Sequence, residues 1–246
     1  MFDITIESSD YLPVKANQTD AGYDLKAKID QPSKETSSIL EALLKELQYT
    51  GSKNLREFHS PRLYLDGKLY APFKGDSTVG LKDLETLQSS NKGYVILAPI
   101  VVYTHPGYSR KFLDRLQAVS NQIICGTGVT VADMALDIKG YQICPSEEIK
   151  IKPDCSDLPA LFVLPRSGWA AKYQLSITNS PGLIDAGYRD EIKLIVENRS
   201  KDIHIITDKT KLAQLVPVTV KGDALNVVNE VTFSDRGANG LGSTGI

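Results

Sequence analysis

The second half of the chain alternates between apolar and polar positions in short runs. "ALFVLP" from Ala160, "YQLSIT" from Tyr173, "EIKLIVEN" from Glu191 and "IHIIT" from Ile203 are alternating or β-branched stretches, which suit a pleated, half-buried surface. "LAQLVPVTV" from Leu212 and "NVVNEVTF" from Asn226 follow the same pattern, with turn residues between them. Strands this short and closely spaced, with no helix between them, predict an all-β barrel or sandwich. The N-terminal "MFDITIESSD" also alternates and carries acids, so it reads as a strand and not as a signal peptide.

From about Ile29 to about Ser120 the period changes. "SSILEALLKELQ" puts Ile39, Leu40, Leu43, Leu44 and Leu47 on one helical face, with Ser38 as the cap. "RLYLDGKLYAPF" predicts a hairpin around Asp66-Gly67. "GLKDLETLQSS" and "SRKFLDRLQAVS" predict two further amphipathic helices, flanking a buried strand in "YVILAPIVVY". The pattern therefore divides the chain into a β domain, residues 1–28 and 121–246, and an inserted α/β subdomain, residues 29–120. The C-terminal "DRGANGLGSTGI" from Asp235 is Gly-rich and predicts a flexible arm, 236–246.

Composition narrows the function classes. Of 246 residues 41% are hydrophobic and 24% charged, and the net charge is -2. Such a balance gives no bulk attraction to nucleic acid or to an anionic membrane. The insert holds 12 Lys and Arg against 10 Asp and Glu, too even for a nucleic-acid face. No apolar run reaches the ~20 residues of a membrane span. Cys125, Cys144 and Cys155 do not combine with His59, His105 and His204 into a zinc pattern. They read as reduced thiols, and the expected location is the cytoplasm or another intracellular setting, a host cell if the chain is viral.

Five stretches carry candidate chemistry: "DAGYDLKA" from Asp20, "PRSGWA" from Pro165, "NSPGLIDAGYRDE" from Asn179, "KLAQLV" from Lys211 and "RGANGLGSTG" from Arg236. "RSG" offers a guanidinium, a hydroxyl and a glycine whose backbone can approach oxygen atoms closely. "GLGSTG" offers a second such cradle with Arg236 upstream. Together and in this order, the five stretches resemble the trimeric deoxyuridine triphosphatase (dUTPase) family. The resemblance covers both ends of the chain and leaves the insert unexplained.

The resemblance implies a mainly β fold, a distorted jelly-roll-like barrel, assembled as a homotrimer with each site built from three chains. It implies hydrolysis of dUTP to dUMP and pyrophosphate, with Mg2+ bound. Asp185 would be the general base that deprotonates the attacking water, helped by Gln214 and by Arg236 as a mobile clamp. Arg166, Ser167 and Gly168 would hold phosphate. The hairpin of Asn179, Gly182, Leu183 and Ile184 would read uracil with its main chain, and Tyr188 would pack on the deoxyribose. Lys193 and the arm residues Leu241, Gly242, Ser243 and Thr244 would complete the substrate contacts. Asp24 would meet Mg2+ through water, since phosphates, waters and a carboxylate suit a hard cation.

The chain departs from the family pattern at Leu241 (usually phenylalanine), Asp190 (usually glycine), Lys209-Thr210 and Trp169. Two other readings stand beside dUTP hydrolysis. A dCTP deaminase would share the fold and use a glutamate of the third motif, for which Glu191 is the nearest residue. A nucleotide-gated regulator would use the insert as a docking surface for a protein partner; a lid or a trimer-edge decoration are the other roles open to the insert.

Overall fold

Two hydrophobic cores lie side by side, and one five-residue strand borders both. The computed structural model describes residues 2–50, 61–65, 68–70, 84–102, 109–134 and 157–221, and the architecture is mainly β.

Three antiparallel sheets enclose the first core. β8 (Asp157–Pro165) pairs with β10 (Gly182–Ile184) on one side and β13 (Lys211–Lys221) on the other, and β13 pairs in turn with β2 (Tyr23–Lys26). β11 (Leu194–Asn198) lies between β6 (Gln122–Cys125) and β9 (Leu175–Ile177), and β1 (Phe2–Ile6) pairs with β7 (Val129–Met134). The alternation that predicts these strands is visible in β11, whose Leu194, Val196 and Asn198 are buried while Ile195 and Glu197 are only partly so. Pro159 is tolerated in β8 because β10 covers only Leu161–Val163. On that side the missing N–H of Pro159 interrupts no ladder.

The second core is built by the inserted segment. α1 (Lys34–Thr50) buries Leu40, Leu43 and Leu44, the helical residues 84–89 (α2) bury Leu84 and Leu87, and α3 (Arg110–Gln117) buries Phe112, Leu113 and Leu116. The N-terminal cap of α1 is Ser33, whose hydroxyl accepts from the Thr36 N–H at 3.1 Å, and not Ser38. The helix starts earlier than its apolar stripe because its first turn, Lys34 to Ser37, is polar. β3 (Pro61–Leu65) and β4 (Lys68–Tyr70) pair with Leu65 opposite Lys68, as a hairpin about Asp66-Gly67 requires.

The sequence pattern treats residues 29–120 as a unit of its own, yet its sheet takes an inner strand from elsewhere. The order is β4, β3, β12 (Ile203–Thr207), β5 (Tyr94–Leu97), with β12 parallel to β3 and antiparallel to β5. All five residues of β12 are buried. Ile203 and Ile205 belong to the helical core and Ile206 to the first core. A strand covered on both faces reads as a continuous apolar run, which is what "IHIIT" is.

Two polar joints hold the cores in register. Asn198, at the end of β11, donates from Nδ2 to the carbonyls of Ala98 (2.7 Å) and Asp202 (2.8 Å), and its Oδ1 accepts from the Ser200 N–H and hydroxyl. Asp208 accepts the Tyr11 hydroxyl at 2.8 Å and the Ile29 N–H at 3.0 Å. Burial, and then the neighbouring Asp208, push the Tyr11 hydroxyl above its ordinary pKa. Gly93 is required beside this joint, since a Cβ there would sit 1.9 Å from the Ile29 carbonyl oxygen. Among the described residues no helix is long and apolar enough to cross a membrane.

Candidate active site

Neighbouring strands bring the first, second and fourth motifs together. In register, Asp24 of β2 lies opposite Gln214 of β13, and Gln214 lies opposite Leu164 of β8. β8 then ends, and Arg166 and Ser167 turn the chain into α4 (Ser167–Tyr173). The Arg166 Nε lies 3.0 Å from Asp24 Oδ1, and its Nη1 donates to the Lys211 carbonyl at 3.3 Å. Lys211 Nζ lies 3.0 Å from Asp24 Oδ2. Asp24 is only 4% exposed, and a carboxylate so buried needs both oxygens compensated. Two cations meet that need. Lys211 has no assigned part in the sequence reading; the basic residue heading "KLAQLV" is its only sequence signal.

The turn after β8 has an open mouth. Ser167 and Gly168 are exposed, and a Cβ on Gly168 would meet nothing within 4 Å, so the space before it can take an oxygen-rich ligand. The first motif is closed by contrast: a Cβ on Gly22 would come within 3.3 Å of the Gln214 Cβ. Glycine there lets β2 lie close against the face that carries Gln214. "SGWAAKY" forms α4; its Trp169 is buried, and the indole Nε1–H donates to the Lys211 carbonyl at 2.7 Å.

The third motif forms a separate platform. Gly182, Leu183 and Ile184 make the edge strand β10, which has β8 as its one neighbour among the described residues. Part of its main-chain donors and acceptors is therefore uncommitted. Asn179 is exposed, and its Nδ2 lies 3.1 Å from where a Gly182 Cβ would be. Asp185 follows β10 with an exposed side chain, and its carbonyl accepts the Tyr188 N–H at 3.0 Å. The Tyr188 ring packs on the first core and its hydroxyl donates to the Glu191 carbonyl at 2.7 Å. Partial burial, and then the Asp190 charge, raise the Tyr188 pKa. Lys193 is exposed with Nζ 3.4 Å from Asp190 Oδ2. The Glu191 N–H, and then Lys193, hold the Asp190 carboxyl below its usual range. The acid that departs from the family pattern therefore has its own counter-charge.

One chain does not bring the two halves together. Ile184 pairs with Leu161, five residues before Arg166 on β8. At about 3.3 Å per residue, Asp185 lies roughly 17 Å or more from the Arg166 backbone along the strand. Arg236, Leu241, Gly242, Ser243 and Thr244 lie outside the described residues, as do Cys144, Cys155, His59 and His105.

Glu191 is committed elsewhere. Its Oε1 accepts from the Thr127 N–H at 3.1 Å and the Gly128 N–H at 2.8 Å. Cys125, a free and buried thiol, is pushed up to about 12 by burial, with Glu191 adding to the shift. It is inert where a thiolate would be needed.

Among the described residues no three His, Cys, Asp or Glu side chains gather into a metal cage. Asp24 Oδ2 is buried with no aligned hydrogen bond, although Lys211 Nζ stands at ion-pair distance. A single carboxylate whose two oxygens already face Arg166 and Lys211 can meet a hard cation such as Mg2+ only through water, and does not suit a soft metal.

In this mainly β fold, neighbouring strand ends gather an arginine, a lysine, a buried acid and an open glycine turn. The family model that matches is dUTPase, over residues 129–245. The chain is 38% identical over 120 residues to the deoxyuridine 5'-triphosphate nucleotidohydrolase of Clostridioides difficile, covering 46% of this chain and 84% of that protein. It is 49% identical over 81 residues to the same-named protein of Bdellovibrio bacteriovorus, covering 33% of this chain and 54% of that protein. The chain thus spans little more than half the length of that relative. A dUTPase of Staphylococcus bacteriophage 80alpha, solved with dUPNHPP, shares the fold at a TM-score of 0.50 and 16% identity, over 100% of this chain and 99% of that one. The chain belongs to the dUTPase family.

Proposed function

We propose that the protein hydrolyses dUTP to dUMP and pyrophosphate in a homotrimer whose active sites are shared between copies. The observation that supports this most is the separation within one chain of a cation-lined cradle and a base-bearing hairpin. Each half is exposed, each is incomplete alone, and a symmetric oligomer can bring one copy's cradle to another's hairpin.

In this reading Arg166 and the exposed main chain of Ser167 and Gly168 take the triphosphate. Gln214 stands beside Asp24 to hold the α-phosphate and the water. Asp24 would hold Mg2+ through water, and the ion would neutralise part of the triphosphate charge. Asp185 takes a proton from water as the water oxygen bonds to the α-phosphorus. The bond from that phosphorus to the bridging oxygen breaks, and pyrophosphate leaves with the electron pair. The uncommitted edge of β10 reads the pyrimidine through main-chain groups. Cytosine exchanges a donor and an acceptor, so it would leave those groups unpaired. A deaminase reading is disfavoured because Glu191, the acid it would need, spends its carboxylate on two backbone amides.

Pyrophosphate release across the common deoxynucleoside triphosphates tests the proposal. The expected result is turnover of dUTP at least about a hundredfold faster than of dCTP or dTTP. Equal turnover of all, or ammonia release from dCTP, contradicts it. The arm carries a second prediction. Base–aromatic stacking contributes roughly 1–3 kcal/mol, so Leu241→Phe should tighten binding of a non-hydrolysable dUTP analogue about fivefold or more. Unchanged affinity by calorimetry would remove Leu241 from the base.

A further inference from the structure

Trp169 is this chain's only tryptophan. Its side chain is 7% exposed and packs in the first core, 5.5 Å from the Tyr173 ring between centroids. Its Nε1–H donates to the Lys211 carbonyl at 2.7 Å, and the Arg166 Nη1 donates to that same oxygen at 3.3 Å. A carbonyl oxygen has two lone pairs, so the two donors fill it. The indole holds the shorter bond, and the guanidinium is left with the longer one. Arg166 is fixed at its other edge by Asp24, through Nε at 3.0 Å, and Lys211 Nζ pairs with the same carboxylate at 3.0 Å. Arg166, Asp24, Lys211 and Trp169 are thus linked through one carboxylate and one carbonyl. Every member but Trp169 is charged, and Trp169 alone anchors the set to the hydrophobic core.

We propose that Trp169 is a positioning residue that aims the Arg166 guanidinium at the triphosphate by occupying the Lys211 carbonyl. The inference rests on the reading of Arg166 as a phosphate ligand. Without the indole N–H, the Lys211 oxygen has a vacant lone pair, and the Arg166 Nη1 closes on it. The guanidinium then turns toward the protein and away from the mouth before Gly168. A fork that must be turned back before each binding event weakens ground-state binding of phosphate. It does not touch the proton transfer on the hairpin.

The test is a double-mutant cycle of Trp169→Phe and Arg166→Ala, read as the dissociation constant of a non-hydrolysable dUTP analogue and of inorganic pyrophosphate. Phenylalanine keeps a six-membered ring in the core and removes the donor together with the five-membered ring of the indole. The Arg166→Ala background shares that loss, and the cycle therefore cancels it. Trp169→Phe alone should weaken both probes by about three- to tenfold, the worth of a single hydrogen bond, and raise KM with kcat within about twofold. In the Arg166→Ala background the same substitution should change neither affinity. An equal loss in both backgrounds would make Trp169 merely structural, and no loss in either would overturn the proposal outright. Trp169→Leu, which removes both rings, should lose more thermal stability than Trp169→Phe. If the unmodified protein neither turns over dUTP nor binds pyrophosphate, the reading of Arg166 fails and carries this inference with it. Turnover with an unaffected Trp169→Phe variant defeats the inference alone.

Discussion

Asp185→Asn should abolish dUTP hydrolysis and leave nucleotide binding almost intact. The amide has nearly the shape of the carboxylate but cannot take a proton from water. Loss of a positioned general base costs about 100- to 10,000-fold in kcat. Because Asp185 is exposed and its carbonyl, not its carboxylate, is the group tied to Tyr188, the hairpin should keep its shape. Affinity for a non-hydrolysable dUTP analogue should therefore stay within about threefold, since no uncharged binding contact is removed. Single-turnover rates and calorimetry on the one variant separate the two effects. A kcat within tenfold of the unmodified protein would exclude Asp185 as the base. The distance between Asp185 and Arg166 in one chain adds a sharper form of the experiment. Asp185→Asn and Arg166→Ala variants, each inactive, should regain activity when co-expressed. If the base and the cradle of each site come from different copies, about a quarter of the sites in random mixed trimers receive both intact residues. No regained activity would mean that one chain supplies both.

The sequence pattern marks the mainly β class and singles out residues that the fold then places, some together and some apart. Asp24, Arg166, Gln214 and Asp185 lie in short motifs whose residue types are dictated by chemistry, and three of them meet at neighbouring strand ends. Lys211 and Trp169 escape such a reading because their contribution depends on a main-chain carbonyl and on a carboxylate distant in sequence. β-Alternation identifies β8, β9, β11 and β13 correctly, and α3 begins at Arg110, capped by Ser109, within its predicted segment. What it cannot reveal is partnership. "IHIIT" looks like any barrel strand, and nothing local says that β12 will sit between strands from residues 61–65 and 94–97. Pairing is set by which faces must be covered, a property of the folded whole. The cap of α1 fails for a simpler reason: an apolar stripe marks the buried length of a helix, and the polar first turn after Ser33 leaves no stripe to read.

Asn198 is the residue on which that shared strand depends, and Asn198→Ala should destabilise the protein more than any single loss in the candidate site. Its side chain is fully buried. It donates to Ala98 and Asp202 and accepts from Ser200, so it ties the end of β11 to the exit of β5 and to the turn that leads into β12. The Ser200 hydroxyl continues the network to His204 Nε2 at 2.9 Å, inside β12 itself. Alanine removes five hydrogen bonds, the longest of them to the Leu97 carbonyl at 3.5 Å, and leaves carbonyls and an amide buried where water has little access. Each orphaned group costs about 1–3 kcal/mol, so a total of roughly 3–5 kcal/mol is expected after partial relaxation. Against the 5–15 kcal/mol that typically separates folded from unfolded chains, that is a severe loss. Asn198→Asp keeps the acceptor for Ser200 but sets carboxylate oxygens against the Ala98 and Asp202 carbonyls, so it should be no better tolerated. Ser200→Ala leaves the Asn198 donors in place and should cost only about 1 kcal/mol. Urea unfolding of the three variants orders them, provided the slope of each transition is unchanged. A loss below about 1 kcal/mol for Asn198→Ala would show that the apolar faces of β12 alone hold the two cores together.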